Sequence, residues 1–206
     1  PMEAKLKSVL LFGQPGVGKG TQGQILGDVP GFCHLATGDM FRGLDRDSEL
    51  GKEFLKYSTQ GLLVPDELTC RLWYQYVQGL INTNKYNPAT DVLLLDGIPR
   101  SLAQAKTLDE HIEVLAIIHL VCDNEDELVQ RMKRRAEIQN RPDDADEAVI
   151  RRRFEVFHAD TAEVLNHYDP SLIHTVTATG IPGRILLNIL EQVIPSMEGH
   201  FGNPLG

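Results

Sequence analysis

The chain has 206 residues, 42% of them hydrophobic and 24% charged, with a formal net charge of −9. A chain of this size supports one substantial core. Its acidic balance argues against broad binding of nucleic acid, which needs a basic face.

Short apolar runs alternate with amphipathic ones along the chain. SVLLF (Ser8–Phe12) reads as a buried strand and is followed by a glycine-rich turn and a helix start. FCHLA (Phe32–Ala36) is a weaker strand. Thr37–Asp66 reads as a small helical insert, because the path to the next strand far exceeds the dozen or so residues of a minimal crossover. Pro65–Ile81 has helical spacing, VLLLD (Val92–Asp96) is a strand and Ser101–His111 a helix. LAIIHLV (Leu115–Val121) is again a strand, Glu125–Ile138 and Asp143–Tyr168 are helices, IHTVTA (Ile173–Ala178) is a weak strand and Ile181–Ile194 a helix. The glycine-rich tail EGHFGNPLG reads as frayed. Near-continuous apolarity in the strands, with helices between, implies a doubly wound α/β fold on a five-stranded parallel sheet.

The three cysteines, Cys33, Cys70 and Cys122, form no CxxC pair. No zinc site is therefore expected, and buried free thiols in a reducing compartment are. No apolar run reaches the ~20 residues of a membrane span, and SVLLFG is too short for a signal-peptide core, so a cytoplasmic protein is the expectation. The seven histidines show no metal spacing and read as surface or strand-edge residues. Trp73, Tyr74 and Tyr76 read as core of a helix.

LFGQPGVGKGTQ carries the chemistry. The general phosphate-cradling pattern requires a Ser or Thr directly after Gly-Lys, yet Gly20 follows Lys19 and the hydroxyl comes with Thr21. The strand–turn–helix context makes the loop an anion cradle all the same. Gly13, Gly16, Gly18 and Gly20, with Val17 between them, let backbone N–H groups point inward. The helix N-terminus faces the same anion. Lys19 can reach outer phosphates and Thr21 a Mg2+ ion. Basic residues cluster at Arg131, Lys133, Arg134, Arg135, Arg141 and Arg151 to Arg153, which in an acidic chain suggests a local anionic target. A solvated basic helix face is the plain alternative.

The variant GxPGxGKGT resembles that of nucleoside monophosphate kinases of the adenylate kinase type, and motifs in matching order extend the resemblance from about Ser8 to Val193. LATGDMFR resembles the acceptor motif, which would put Thr37 near the adenine of AMP and Arg42 on its phosphate. GLLVPDEL resembles the end of the monophosphate insert, with Leu62, Leu63 and Val64 lining the AMP ribose and base. Taken alone, both stretches read as helix starts.

VLLLDGIPRSLAQA resembles the D-G-F-P-R segment, with Ile98 in place of phenylalanine. Asp96 would hold Mg2+ through water, Gly97, Ile98, Pro99 and Arg100 would bind AMP with Arg100 on its phosphate, and Gln104 would read the adenine edge. By the same resemblance Arg131, Arg135, Arg141 and Arg153 surround the transferring phosphoryl group. Arg153 needs one extra residue after Asp144, so Arg152 stays open as its substitute. The loop around Gly180 would face the adenine of ATP.

The short Arg135–Arg141 interval implies a compact lid without zinc. The implied division is core 1–36 with the cradle, insert 37–66, core 67–134, lid 135–143, and core and tail 144–206. The implied fold is the P-loop kinase type. The implied reaction is reversible transfer from Mg-ATP to AMP giving two ADP, by a monomer that binds nucleotides and neither nucleic acid nor membrane. A UMP or CMP kinase is the nearest rival, although Ser101 follows Arg100 where pyrimidine-specific relatives carry asparagine. A GTPase-like switch is disfavoured because NKYN lacks the acid of the guanine reader. A nucleotide-binding relative without turnover is the third alternative.

Overall fold

A computed structural model describes residues 4–60, 62–139 and 145–206. Five strands form one parallel sheet in the order β2-β3-β1-β4-β5. They are β1 (Leu6–Gly13), β2 (Phe32–Ala36), β3 (Val92–Asp96), β4 (Ile112–Val121) and β5 (Ile173–Thr177). The helices are α1 (Lys19–Gly27), α2 (Thr37–Arg42), α3 (Glu49–Ser58), α4 (Asp66–Asn82), α5 (Leu102–Leu108), α6 (Glu125–Gln139), α7 (Glu147–His167) and α8 (Pro182–Met197).

Strand alternation divides the core. Val9 and Leu11 of β1 face a cluster completed by Met132 of α6, Phe154 of α7 and Ile189 of α8. Leu10 and Phe12 face the opposite cluster with Leu72 and Trp73 of α4 and Leu108 of α5. Every residue of β3 is buried. A fully buried aliphatic side chain stabilises by roughly 1.5–3 kcal/mol relative to exposure, so an apolar central strand is held from both faces. The strand order reverses beside β1, and the crevice at its carboxyl end is where ligands of such sheets sit.

The elements differ from expectation mainly at their ends. β1 and β4 start earlier, at Leu6 and Ile112. α7 starts at Glu147, where Asp146 caps it by accepting from the N–H groups of Ala148 and Val149; the expected start at Asp143 lies outside the described residues. α8 continues past Ile194 through Pro195 to Met197.

The tail is docked and not frayed. Phe201 packs against the core, its N–H and that of His200 return to Met197 O, and Pro204 approaches the Gly31 turn. The aromatic ring of Phe201 supplies the apolar burial that the glycine-rich composition had concealed. Trp73 is core as read, Tyr76 is half-buried, and Tyr74 is exposed against His111, with ring centroids 4.9 Å apart.

Candidate active site

The loop from β1 to α1 takes shape from contacts no other residue type permits. A β-carbon at Gly13 would stand 2.5 Å from Val17 Cγ1, so buried Val17 closes the loop from behind. Gly16 and Gly18 have φ of 85° and 95°, the left-handed region that glycine enters without strain. Gly18 caps α1 with no side-chain hydrogen bond. The first N–H groups of α1 therefore lack side-chain partners and can serve an anion.

This loop forms one wall of a cavity of about 1020 Å3. Gly13, Gly16, Gly18, Lys19, Gly20 and Thr21 line it from the cradle side. Thr37, Asp96, Gly97, Pro99 and Arg100 line it from the ends of β2 and β3. Arg131 and Arg135 of α6 enter it, and so do both Arg152 and Arg153 of α7. Charges far apart in sequence thus converge on the crevice beside Lys19.

Lys19 Nζ is paired with Asp96 Oδ1, and His34 Nε2 lies 3.0 Å from Asp96 Oδ2. Burial alone would raise the Asp96 carboxyl. The hydrogen bond with His34, then the charge of Lys19, outweigh it and hold the pKa below the ordinary carboxylate value. His34 is a strand-edge histidine, on the edge strand β2, yet it is not a surface group: its side chain is only 10% exposed. It fits because α1 offers a notch. A β-carbon at Gly23 would lie 2.5 Å from His34 Nε2, and one at Gly27 2.8 Å from His34 Cβ.

The turn after β3 is pinned internally. Arg100 Nε donates to Gly97 O at 2.9 Å, and Arg100 N–H donates to Gln104 Oε1 at 2.8 Å. Gln104 Nε2 donates to Asp66 Oδ1 at 2.9 Å. Gln104 is buried and does not line the cavity; its amide joins the turn to the start of α4. Buried Ile98 packs behind the turn through a cis bond to Pro99.

Other expected residues stand apart from the cavity lining. Arg42 is exposed and paired with Asp39. Leu62 and Leu63 are 55% and 94% exposed, and Val64 is half-buried. Gly180 lies in the turn before α8, whose Pro182 carbonyl accepts from Gln22 Nε2 of α1. Arg141 lies outside the described residues.

Sequence reading missed one wall. Val156, Phe157, Asp160 and Thr161 follow Arg152 and Arg153 along the cavity-facing side of α7. Val156 and Phe157 stand three and four residues after Arg153, and Asp160 and Thr161 three and four after Phe157; that repeat was the available signal. Gln14 was passed over as a variable position of the loop, yet it also lines the cavity.

A glycine-rich anion cradle at a sheet switch point, facing a ring of arginines across a cavity, defines a phosphotransferase of the P-loop nucleotide kinase class. Comparison with known proteins is specific. Residues 11–172 match the family model described as adenylate kinase. The adenylate kinase of Flavobacterium psychrophilum is 35% identical over 193 residues, covering 90% of this chain and 97% of that protein. That of Thermobifida fusca is 39% identical, covering 84% and 90%, and that of Mycolicibacterium vanbaalenii 39% identical, covering 90% and 98%. The chain belongs to the adenylate kinase family, whose activity is reversible phosphoryl transfer between ATP and AMP.

Proposed function

We propose that this chain transfers the terminal phosphoryl group of Mg-ATP to AMP, giving two ADP. The observation that carries the reading is the convergence of Lys19, Arg100, Arg131, Arg135, Arg152 and Arg153 on one cavity. Phosphoryl transfer spreads charge over the moving group and depends on positioning and electrostatic stabilisation.

Each residue then has a task. The cradle amides and Lys19 hold the donor phosphates, with Lys19 exchanging Asp96 for phosphate oxygens. Arg100, whose Nε is already tied to Gly97 O, presents its outer nitrogens to the acceptor phosphate, joined by Arg42. Arg131, Arg135, Arg141 and Arg153 stabilise the moving group. Thr37, Leu62, Leu63 and Val64 receive the acceptor nucleoside, Gln104 reaches its base by exchanging the bond to Asp66, and the Gly180 turn faces the donor base. An acceptor phosphate has its second pKa near ~6, so it attacks as an anion and no general base is required.

Thr21 and Asp96 line the cavity together and offer only oxygen donors, the set a hard cation takes. They fit Mg2+, Asp96 through water, and the ion would supply charge to the transferring phosphates. Segments 37–66 and 135–143 act as insert and lid over the core segments 1–36, 67–134 and 144–206, excluding water that would otherwise take the phosphoryl group. The two exposed leucines at 62 and 63 support an insert that closes on something apolar. A monomer is the state that we propose. Three free buried cysteines support operation in the reducing cytoplasm. Nucleotides are the partners; zinc, nucleic acid and membrane are not. No helix among the described residues is long and apolar enough to cross a membrane.

The test is transfer from ATP to AMP, UMP, CMP and GMP, with Arg100→Ala as control. AMP is the preferred acceptor, and the variant folds but loses at least about a hundredfold in kcat/KM. Transfer to none of the four would sink the enzyme reading, and preference for UMP or CMP would move the assignment to a pyrimidine kinase.

A further inference from the structure

Gln14 lies between Gly13 and Gly16 of the cradle and is 5% exposed. Its Nε2 lies 2.8 Å from Glu125 Oε1 and 2.9 Å from His158 Nε2. His158 Nε2 is itself 2.9 Å from Glu125 Oε1. Glu125 opens α6, which carries Arg131 and Arg135. His158 belongs to α7, which carries Arg152 and Arg153. The phosphate loop and both arginine helices therefore meet in one triangle of polar atoms.

Donors and acceptors cannot satisfy all three edges at once. The Gln14 amide has two N–H donors, the Glu125 carboxylate only accepts, and the His158 nitrogen does one or the other. With His158 neutral and its proton on Nδ1, Gln14 donates to both Glu125 and His158, tying the loop to both helices. With a proton on Nε2, in the other neutral tautomer or the imidazolium, His158 donates to Glu125, and Gln14 keeps only its bond to Glu125. The site of that proton thus exchanges a loop–α7 bond for an α6–α7 bond.

Among the described residues, the titratable groups that feel His158 include Glu125 from α6 and His119 from β4, with Arg151 of its own helix acting on Glu125. The hydrogen bond with His158 is the main cause holding the Glu125 carboxyl below its ordinary value. Burial, then the charge of His158, lowers His119.

We propose that Gln14 and His158 are positioning residues for the phosphoryl donor: they hold the phosphate loop in register with the helix that carries Arg152 and Arg153, through the bond from Gln14 Nε2 to His158 Nε2. The proposal rests on the ATP–AMP reading above. Neither side chain needs to touch the transferring group, so the effect should fall on donor KM and not on turnover.

The experiment measures KM for Mg-ATP and kcat at saturating AMP. The variants are Gln14→Ala, His158→Ala and His158→Gln. One lost neutral hydrogen bond corresponds to roughly two- to tenfold in binding. Gln14→Ala and His158→Ala therefore raise KM by that factor and change kcat by less.

In His158→Gln the amide oxygen can accept from Gln14, so KM stays within about twofold of the unaltered protein. Calorimetric binding of a non-hydrolysable ATP analogue to each purified variant reads the same differences without turnover. Absence of transfer would thus sink the reaction reading while still deciding this one. Donor KM raised as far in His158→Gln as in His158→Ala, or unchanged donor affinity in Gln14→Ala, overturns the proposal. If His158→Ala melts early, Gln14→Ala and His158→Gln decide it.

Discussion

Thr37 and Gly97 meet at van der Waals limits: a β-carbon at Gly97 would stand 2.5 Å from Thr37 Oγ1. The contact joins the start of α2 to the turn after β3, on the cavity wall assigned to the acceptor. Gly97 also has φ of 91°. Gly97→Ala meets both obstacles, the left-handed backbone costing about 1–2 kcal/mol before any clash. Urea unfolding should show a loss of about 2 kcal/mol or more, and the KM for AMP should rise as Thr37 is displaced. An unchanged midpoint would mean the two segments do not touch.

Gly20 and Gly23 stand on adjacent turns of α1 and should respond oppositely to alanine. A β-carbon at Gly20 meets nothing within 4 Å, whereas one at Gly23 strikes His34 at 2.5 Å. Alanine in a helix gains up to about 1 kcal/mol over glycine. Gly20→Ala should therefore keep or raise the melting temperature, yet weaken ATP binding, because Gly20 lines the cavity. Gly23→Ala should lower the melting temperature by several degrees. Paired thermal melts and donor KM values check both directions.

Lys19 and His34 together keep Asp96 ionised against its burial. Its folded pKa lies below the ordinary ~3.9 of the unfolded carboxyl, so its contribution to stability is present above that value and is lost as pH falls through the folded one. Lys19→Met removes one of the two compensations and raises the folded value. Acid unfolding followed by the fluorescence of buried Trp73 should begin at higher pH in the variant. Activity should fall at least about a hundredfold with loss of the donor-phosphate contact. Coincident acid profiles would show that Asp96 does not depend on Lys19.

Arg152 and Arg153 both reach the cavity, and kinetics separates them. Arg153→Ala should lower kcat by at least about a hundredfold, and Arg152→Ala by less than about tenfold. Reversal of that ranking would transfer the catalytic assignment to Arg152.

All three cysteines are buried. Burial, then the charge of Asp91, pushes the Cys33 thiol up to about 11. Burial, then Asp66, does the same for Cys70, to about 11. Thiolate is the reactive form, so at roughly pH 8 the native protein should react with a disulfide reagent far more slowly than the urea-unfolded protein. Rapid native labelling would show that the core opens readily.

Local chemistry settled the strands and the cradle. Val92–Leu95 is apolar throughout because both faces of β3 are covered, and Gly16 and Gly18 mark a turn through left-handed backbone. These are properties of neighbouring residues, so order along the chain reveals them. The arginines of α6 and α7 were recognisable as a cluster, but their direction was not. Only the packing of both helices beside β1 turns Arg131 and Arg153 towards Lys19.

The same limit hid His34 and Gln14. The His34 pocket exists because Gly23 and Gly27, on another element, leave room for an imidazole, and Gln14 matters through Glu125 and His158, more than a hundred positions away. Sequence by itself determined the alternating α/β pattern, the anion loop and the residue types available for phosphoryl transfer, because propensity, periodicity and backbone permissiveness act over short range. Tertiary structure alone decided which charges share the cavity, which side chains such as Gln104 are occupied elsewhere, and that the tail docks through Phe201, because burial and electrostatic pairing depend on distance in space.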